Sequence, residues 1–115
     1  MTITRFETGT RMSQAVVHGG TAYLAGQVSD AEGVEAQTKD ILGQIDALLA
    51  SVGSDKTRLL SATIYLADMS TFAEMNRAWD GWVAAGHAPA RATVEAKLAG
   101  PQYRVEISVI AATGA

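Results

Sequence analysis

The chain has 115 residues, 48% of them hydrophobic and 18% charged, the composition of a globular domain and not of a disordered segment. Twelve acidic against nine basic residues leave a net charge of −3, so no positive field attracts a phosphate backbone and nucleic acid is not expected as a partner. The absence of cysteine excludes disulfides, thiolate metal sites, iron–sulfur clusters and a cysteine nucleophile, which leaves any chemistry to oxygen and nitrogen groups.

Nothing at the N-terminus has the apolar core of a signal peptide, and no run approaches the ~18 apolar residues of a membrane span. A cytoplasmic protein with no membrane partner is expected, with residues 1–115 as a single domain. Thr2 to Glu7 alternates Ile3 with more polar neighbours and reads as a short strand. The β-prone runs Gln14–His18 and Thr21–Ala25 flank Gly19-Gly20, the pair that a tight hairpin turn with positive φ prefers. Beyond Gly26-Gln27 and a polar loop through Gly33, the residues Ile41, Ile45, Leu48, Leu49 and Val52 recur at helical spacing. Gly53 follows where a left-handed cap belongs, so a helix of roughly four to five turns is expected.

Leu59 to Leu66 reads as a strand with Ala62, Ile64 and Leu66 on one face and Thr63 and Tyr65 on the other. A second helix begins near Ser70 or Thr71, where Thr71 and Glu74 fit a capping box. Phe72, Met75, Trp79, Trp82 and Val83 fall on one stripe of it, with Asn76 close by, and His87-Ala88-Pro89 is expected to end it. Arg91 to Leu98 and Arg104 to Ala111, joined through Ala99-Gly100-Pro101-Gln102, are expected to close the chain as a hairpin.

This order implies an α+β fold in which two helices pack on one face of a mainly antiparallel sheet. In a hairpin centred on Gly100-Pro101, Glu95 opposes Glu106 and Thr93 opposes Ser108. Arg91, Thr93, Glu95, Glu106 and Ser108 then share one face, while Val94, Ala96, Leu98, Val105, Ile107 and Val109 go under the helices. The polar face would be solvated or an interface between subunits.

Most conspicuous residues have plain explanations. Gly19, Gly20 and Gly26 are no phosphate loop, because no lysine follows and the next helix starts several residues later. His18 and His87 lack any ligand spacing and read as turn and loop residues. Trp79 and Trp82 read as core. Arg91 is harder to explain away, since it follows Pro89-Ala90 and opens a β-branched strand.

Several blocks, in order, carry a resemblance: Tyr23-Leu24-Ala25-Gly26-Gln27, Leu66-Ala67-Asp68-Met69, Phe72 with Met75-Asn76, Pro89-Ala90-Arg91-Ala92-Thr93-Val94-Glu95, and Val105-Glu106-Ile107. Along nearly its whole length the sequence resembles the RidA/YjgF family of small imine/enamine deaminases. That resemblance implies a chorismate-mutase-like fold, a homotrimer with active sites in the clefts between subunits, and hydrolysis of 2-imino acids to 2-keto acids and ammonia. No cofactor and no metal are expected. By the same resemblance Arg91 would bind the substrate carboxylate, Glu106 would handle the attacking water, and Thr93, Ala25, Gly26 and Asn76 would line the site. A carboxylate substrate suits a guanidinium, and an iminium carbon needs only a positioned water and a proton carrier.

The chain departs from the family pattern at Ala25, where serine is frequent, at Thr93, where deaminase-type members often carry cysteine, and near Met12, which has no tyrosine beside it. The loop before Pro89 is also about two residues shorter. These departures keep a second reading open, a non-catalytic module that binds small carboxylates or regulates. A ribonuclease or translation inhibitor, as some relatives are described, fits the acidic balance less well.

Overall fold

The structure, a computed structural model, describes residues 1–114. Its elements are β1 (Thr4–Phe6), β2 (Ala15–His18), β3 (Thr21–Leu24), α1 (Val34–Ser51), β4 (Leu59–Leu66), α2 (Phe72–Trp82), β5 (Ala90–Glu95) and β6 (Val105–Ala112), with 3₁₀ turns at Lys56–Arg58 and Met69–Thr71. The strands make one mixed six-stranded sheet in the order β1-β2-β3-β6-β4-β5, and both helices pack on it. No helix among the described residues is long and apolar enough to cross a membrane.

The glycine pair sets the β2–β3 hairpin as expected: Gly19 and Gly20 have φ of 61° and 78°, and His18 pairs with Thr21. α1 ends as expected at Gly53, whose φ of 76° lets Ser54 N–H return to the Leu49 carbonyl at 2.8 Å. Its start, however, lies seven residues before Ile41. Two of the positions that extend the buried stripe backwards, Gln37 and Thr38, are polar and so escape a reading by apolar spacing.

Both are satisfied internally. Thr38 donates its hydroxyl to the Val34 carbonyl at 2.7 Å. Gln37, only 2% exposed, donates through Nε2 to the carbonyls of Ala31 and Gln102, and its Oε1 accepts from the Arg104 N–H at 2.9 Å. One amide thus ties the loop before α1 to the loop before β6. Gln37→Leu is expected to destabilise the fold by about 2 kcal/mol or more, because three backbone groups lose their partner together. A lower urea midpoint would record it, and an unchanged midpoint would mean that water replaces the amide without loss.

α2 differs from expectation at both ends. Thr71 makes no side-chain cap; the Asp68 carboxylate instead accepts from Ser70 N–H at 2.9 Å and caps the 3₁₀ turn that leads into the helix. These bonds from Ser70 hold the Asp68 carboxyl below its ordinary value. The cap is therefore present above the usual aspartate pKa and is lost as pH falls through the lowered one. At the other end the helix stops at Trp82, before His87-Ala88-Pro89, since Val83 is already extended (φ −60°, ψ 136°).

The largest correction concerns the closing hairpin, which does not form. β5 lies parallel to β4, Ile64 facing Thr93 and Leu66 facing Glu95, while β6 runs antiparallel on the other side of β4, Ile64 facing Ile107. β4 separates the two strands that Gly100-Pro101 was expected to join. Parallel neighbours need a long crossover, and α2 supplies it: β4, α2 and β5 form a strand–helix–strand unit, leaving residues 96–104 as a loop.

Facing residues share a side of the sheet. Ala62, Ile64, Leu66, Val105, Ile107 and Val109 are buried under the helices, and by register Arg91, Thr93 and Glu95 lie on that same side. Glu106 and Ser108 lie on the open side with Thr63, Tyr65 and Val94, the last 42% exposed. The expected polar face of five residues is thereby divided between the two sides of the sheet, and Val94 is not core.

Candidate active site

The first group of candidate residues stands on β5, the edge strand. Arg91 pairs laterally with Ala62, whose small side chain leaves the arginine room to turn toward α2. There three residues at i, i+4 and i+7 of one helix stripe receive it. Arg91 Nη1 donates to Asn76 Oδ1 at 2.9 Å, and its guanidinium carbon lies 5.8 Å from the Phe72 ring centre and 5.2 Å from that of Trp79. Such ring contacts attract a cation through the negative π face. Among the described residues no carboxylate pairs with Arg91; the ion pairs formed are those of Glu35 with Lys39 and Arg77. A half-buried guanidinium with one donor engaged by an amide keeps most of its five N–H groups for an anion.

Thr93 and Glu95 follow on the same side. Thr93 Oγ1 is the one buried side-chain polar atom without a partner among the described residues. Glu95 accepts from the Met69 N–H at 2.9 Å and so braces the turn that opens α2.

Glu106 heads the second group, on the open side of β6. Gln27 and Ile107 exchange backbone hydrogen bonds of 2.9 and 3.2 Å, which draws residues 25–27 against β6. Gln27 also donates through Nε2 to Gln14 Oε1 at 2.9 Å and to the Ala25 carbonyl at 3.0 Å, while Ala25 N–H donates to the Gln14 carbonyl. Gly26 is thereby held against the Glu106 carboxylate. A Cβ on Gly26 would overlap Glu106 Oε2 and come within 2.8 Å of Cδ, so this glycine answers a close approach and not a positive φ. Gly26→Ala is expected to swing the Glu106 carboxylate away with little loss of stability, because every atom that the new Cβ meets belongs to that flexible side chain. A crystal structure of the variant with Glu106 unmoved would overturn that account.

Of the six residues singled out from the sequence, the structure brings Arg91, Thr93 and Asn76 together on one side of the sheet and Ala25, Gly26 and Glu106 together on the other. One chain does not join the two groups. Asn76 touches Arg91, which makes it a positioning residue for the guanidinium. The flanking rings were missed as site residues because Phe72 and Trp79 fit a core stripe; the available signal was an asparagine set between two aromatics on one helix face. No cluster of three or more His, Cys, Asp or Glu side chains suited to a metal occurs among the described residues.

Comparison with known proteins agrees with this architecture over its full length. Residues 2–113 match the model of the family described as Endoribonuclease L-PSP. The RutC family protein YoaB of Escherichia coli K12 is 51% identical over 114 residues, which cover 97% of this chain and 99% of that protein. A RutC family protein of Haemophilus influenzae is 49% identical over 114 residues, covering 96% and 98%. In the crystal structure of NMB1025 from Neisseria meningitidis, described as a member of the YjgF family, the fold superposes with a TM-score of 0.97 at 51% identity, covering 100% of this chain and 98% of that one. On half-identity across whole chains and a shared fold, the chain belongs to the RidA/YjgF family.

Proposed function

We propose that the protein is a 2-imino acid deaminase whose active site is completed between copies of the chain, Arg91 coming from one copy and Glu106 from the next. The observation that carries this reading is the Arg91 guanidinium, half-buried, oriented by Asn76 and two rings, and lacking a carboxylate partner. A planar fork held that way matches the two oxygens of a small carboxylate.

In this reading Arg91 fixes the carboxylate of the 2-imino acid, which aims the adjacent iminium carbon at a water beside Glu106. As the water oxygen bonds to that carbon, the Glu106 carboxylate takes a water proton and a carbinolamine forms. Glu106 then returns that proton to the nitrogen and takes the hydroxyl proton as the C–N bond breaks, so that ammonia leaves, the carbonyl of the 2-keto acid forms, and Glu106 gives its proton up to solvent. General acid–base action of this kind contributes ~10²–10⁴-fold, which suits a substrate that also hydrolyses unaided. The sheet itself separates Arg91 from Glu106 within one chain, which is why the reading needs a second copy; a homotrimer with clefts between subunits is the assembly proposed.

The test generates 2-iminopropionate or 2-iminobutyrate in place and follows imine loss with and without the protein. Accelerated loss supports the reading, whereas loss at the uncatalysed rate by folded protein overturns it. Saturable binding of a 2-keto acid without turnover would instead favour a carboxylate-binding module.

A further inference from the structure

A second concave site lies at the other end of the sheet from Arg91, on the helix side. A cavity of about 390 Å³ is bounded by Glu7 after β1, Gln14 before β2, Gln27 after β3, and Gln44, Ala47 and Leu48 of α1. The orientation of two of its amides is set by backbone carbonyls, which accept only from nitrogen. Gln27 must point Nε2 at the Ala25 carbonyl, and Gln44 must point Nε2 at the Val28 carbonyl at 3.0 Å.

Both amide oxygens are consequently left over. Both hydrogen bonds of Gln27 leave from Nε2, so its Oε1, unlike the buried Thr93 Oγ1, is open to solvent and has no protein partner among the described residues. Gln44 likewise uses Nε2 twice, toward Val28 and Asp40, and leaves Oε1 free. Glu7 adds a carboxylate that makes no ion pair among the described residues. Two amide side chains with an unused oxygen and one carboxylate side chain thus line the same cavity, together with Gln14, whose Oε1 is taken by Gln27, and with Ala47 and Leu48.

We propose that this cavity binds a primary alkylammonium ion. The –NH₃⁺ group has three N–H donors and no acceptor, which matches two neutral acceptors and one anionic acceptor. Its charge answers Glu7, and its methylene stem would rest on Ala47 and Leu48. An anion is disfavoured by the same groups, so this site differs in chemistry from the one around Arg91 and stands independently of the deaminase reading.

The probe is n-butylammonium chloride, titrated into the intact protein at neutral pH and followed by the NMR signals of the Gln14, Gln27 and Gln44 side-chain amides. Saturable shifts confined to those signals and their neighbours are expected, with tetramethylammonium, which has charge but no N–H donor, and n-butanol, which has no charge, producing none. Glu7→Gln, a change at an exposed side chain, is expected to weaken binding by about tenfold or more through loss of the charge-assisted bond. Gln44→Met, which removes an acceptor and keeps the length of the side chain, gives a second measure and is expected to weaken binding also. The proposal is overturned by the absence of saturable shifts in the natural protein, by equal binding of tetramethylammonium, or by affinity unchanged in both variants.

Discussion

Arg91→Ala is expected to lower kcat/KM for 2-imino acid hydrolysis by at least ~10²-fold while the protein stays folded. In the proposed site two charge-assisted hydrogen bonds to the substrate carboxylate, each worth about 1.5–3 kcal/mol, would vanish with the guanidinium, and each 1.36 kcal/mol is a tenfold change in rate. The fold loses only one hydrogen bond to Asn76 and the contacts with two rings, so thermal stability should fall slightly. Arg91→Lys should recover little of the rate, because an ammonium retains the charge without the planar fork. Asn76→Ala should raise KM more than it lowers kcat, since the guanidinium would keep its charge but lose its orientation. Kinetics of Arg91→Ala indistinguishable from those of the natural protein would move the carboxylate site elsewhere.

The second large effect is at Glu106. Glu106→Gln keeps the shape and removes the proton acceptor, so kcat should drop by ~10²–10⁴-fold with binding of 2-keto acids retained. Placement of Arg91 and Glu106 on opposite sides of one sheet leads to a sharper expectation, a rescue. Arg91→Ala and Glu106→Gln chains, each inactive alone, should regain activity when co-expressed. In a random equimolar assembly about a quarter of the interfaces unite an intact Arg91 with an intact Glu106. Mixed oligomers, verified by mass, that remain as inactive as their parents would exclude a site shared between copies. A monomeric natural protein in dilute solution would exclude it as well.

Much of the fold was legible where the signal was local. Gly19-Gly20 allows little besides a turn with two positive φ values, and the stripe from Ile41 to Val52 has helical spacing along its length. The ends of elements were harder, because Gln37 and Thr38 are buried for their hydrogen bonds and a pattern of apolar residues passes over them. Strand partners were hardest. Gly100-Pro101 looks like a hairpin turn, yet β5 had a competing partner in β4 across the α2 crossover, and pairing is a long-range choice that no local turn decides.

That one mispairing propagated into the site. A shift from an antiparallel β6 neighbour to a parallel β4 neighbour moved Glu106 and Ser108 to the opposite side from Arg91 and Thr93. The identities of the candidate residues were readable from the blocks around them, while their geometry was not.

The grip of Asn76, Phe72 and Trp79 on Arg91 also bears on the thermodynamics of recognition. A free arginine carries roughly 2 kcal/mol of rotamer entropy that an incoming anion would have to suppress. Here the hydrogen bond and the two ring contacts already hold the side chain in one orientation, so in the proposed site a ligand would use little of its attraction on ordering it. Discrimination then falls on shape: an anion whose oxygens do not span the waiting fork gains nothing from the arginine's flexibility, because little of it remains.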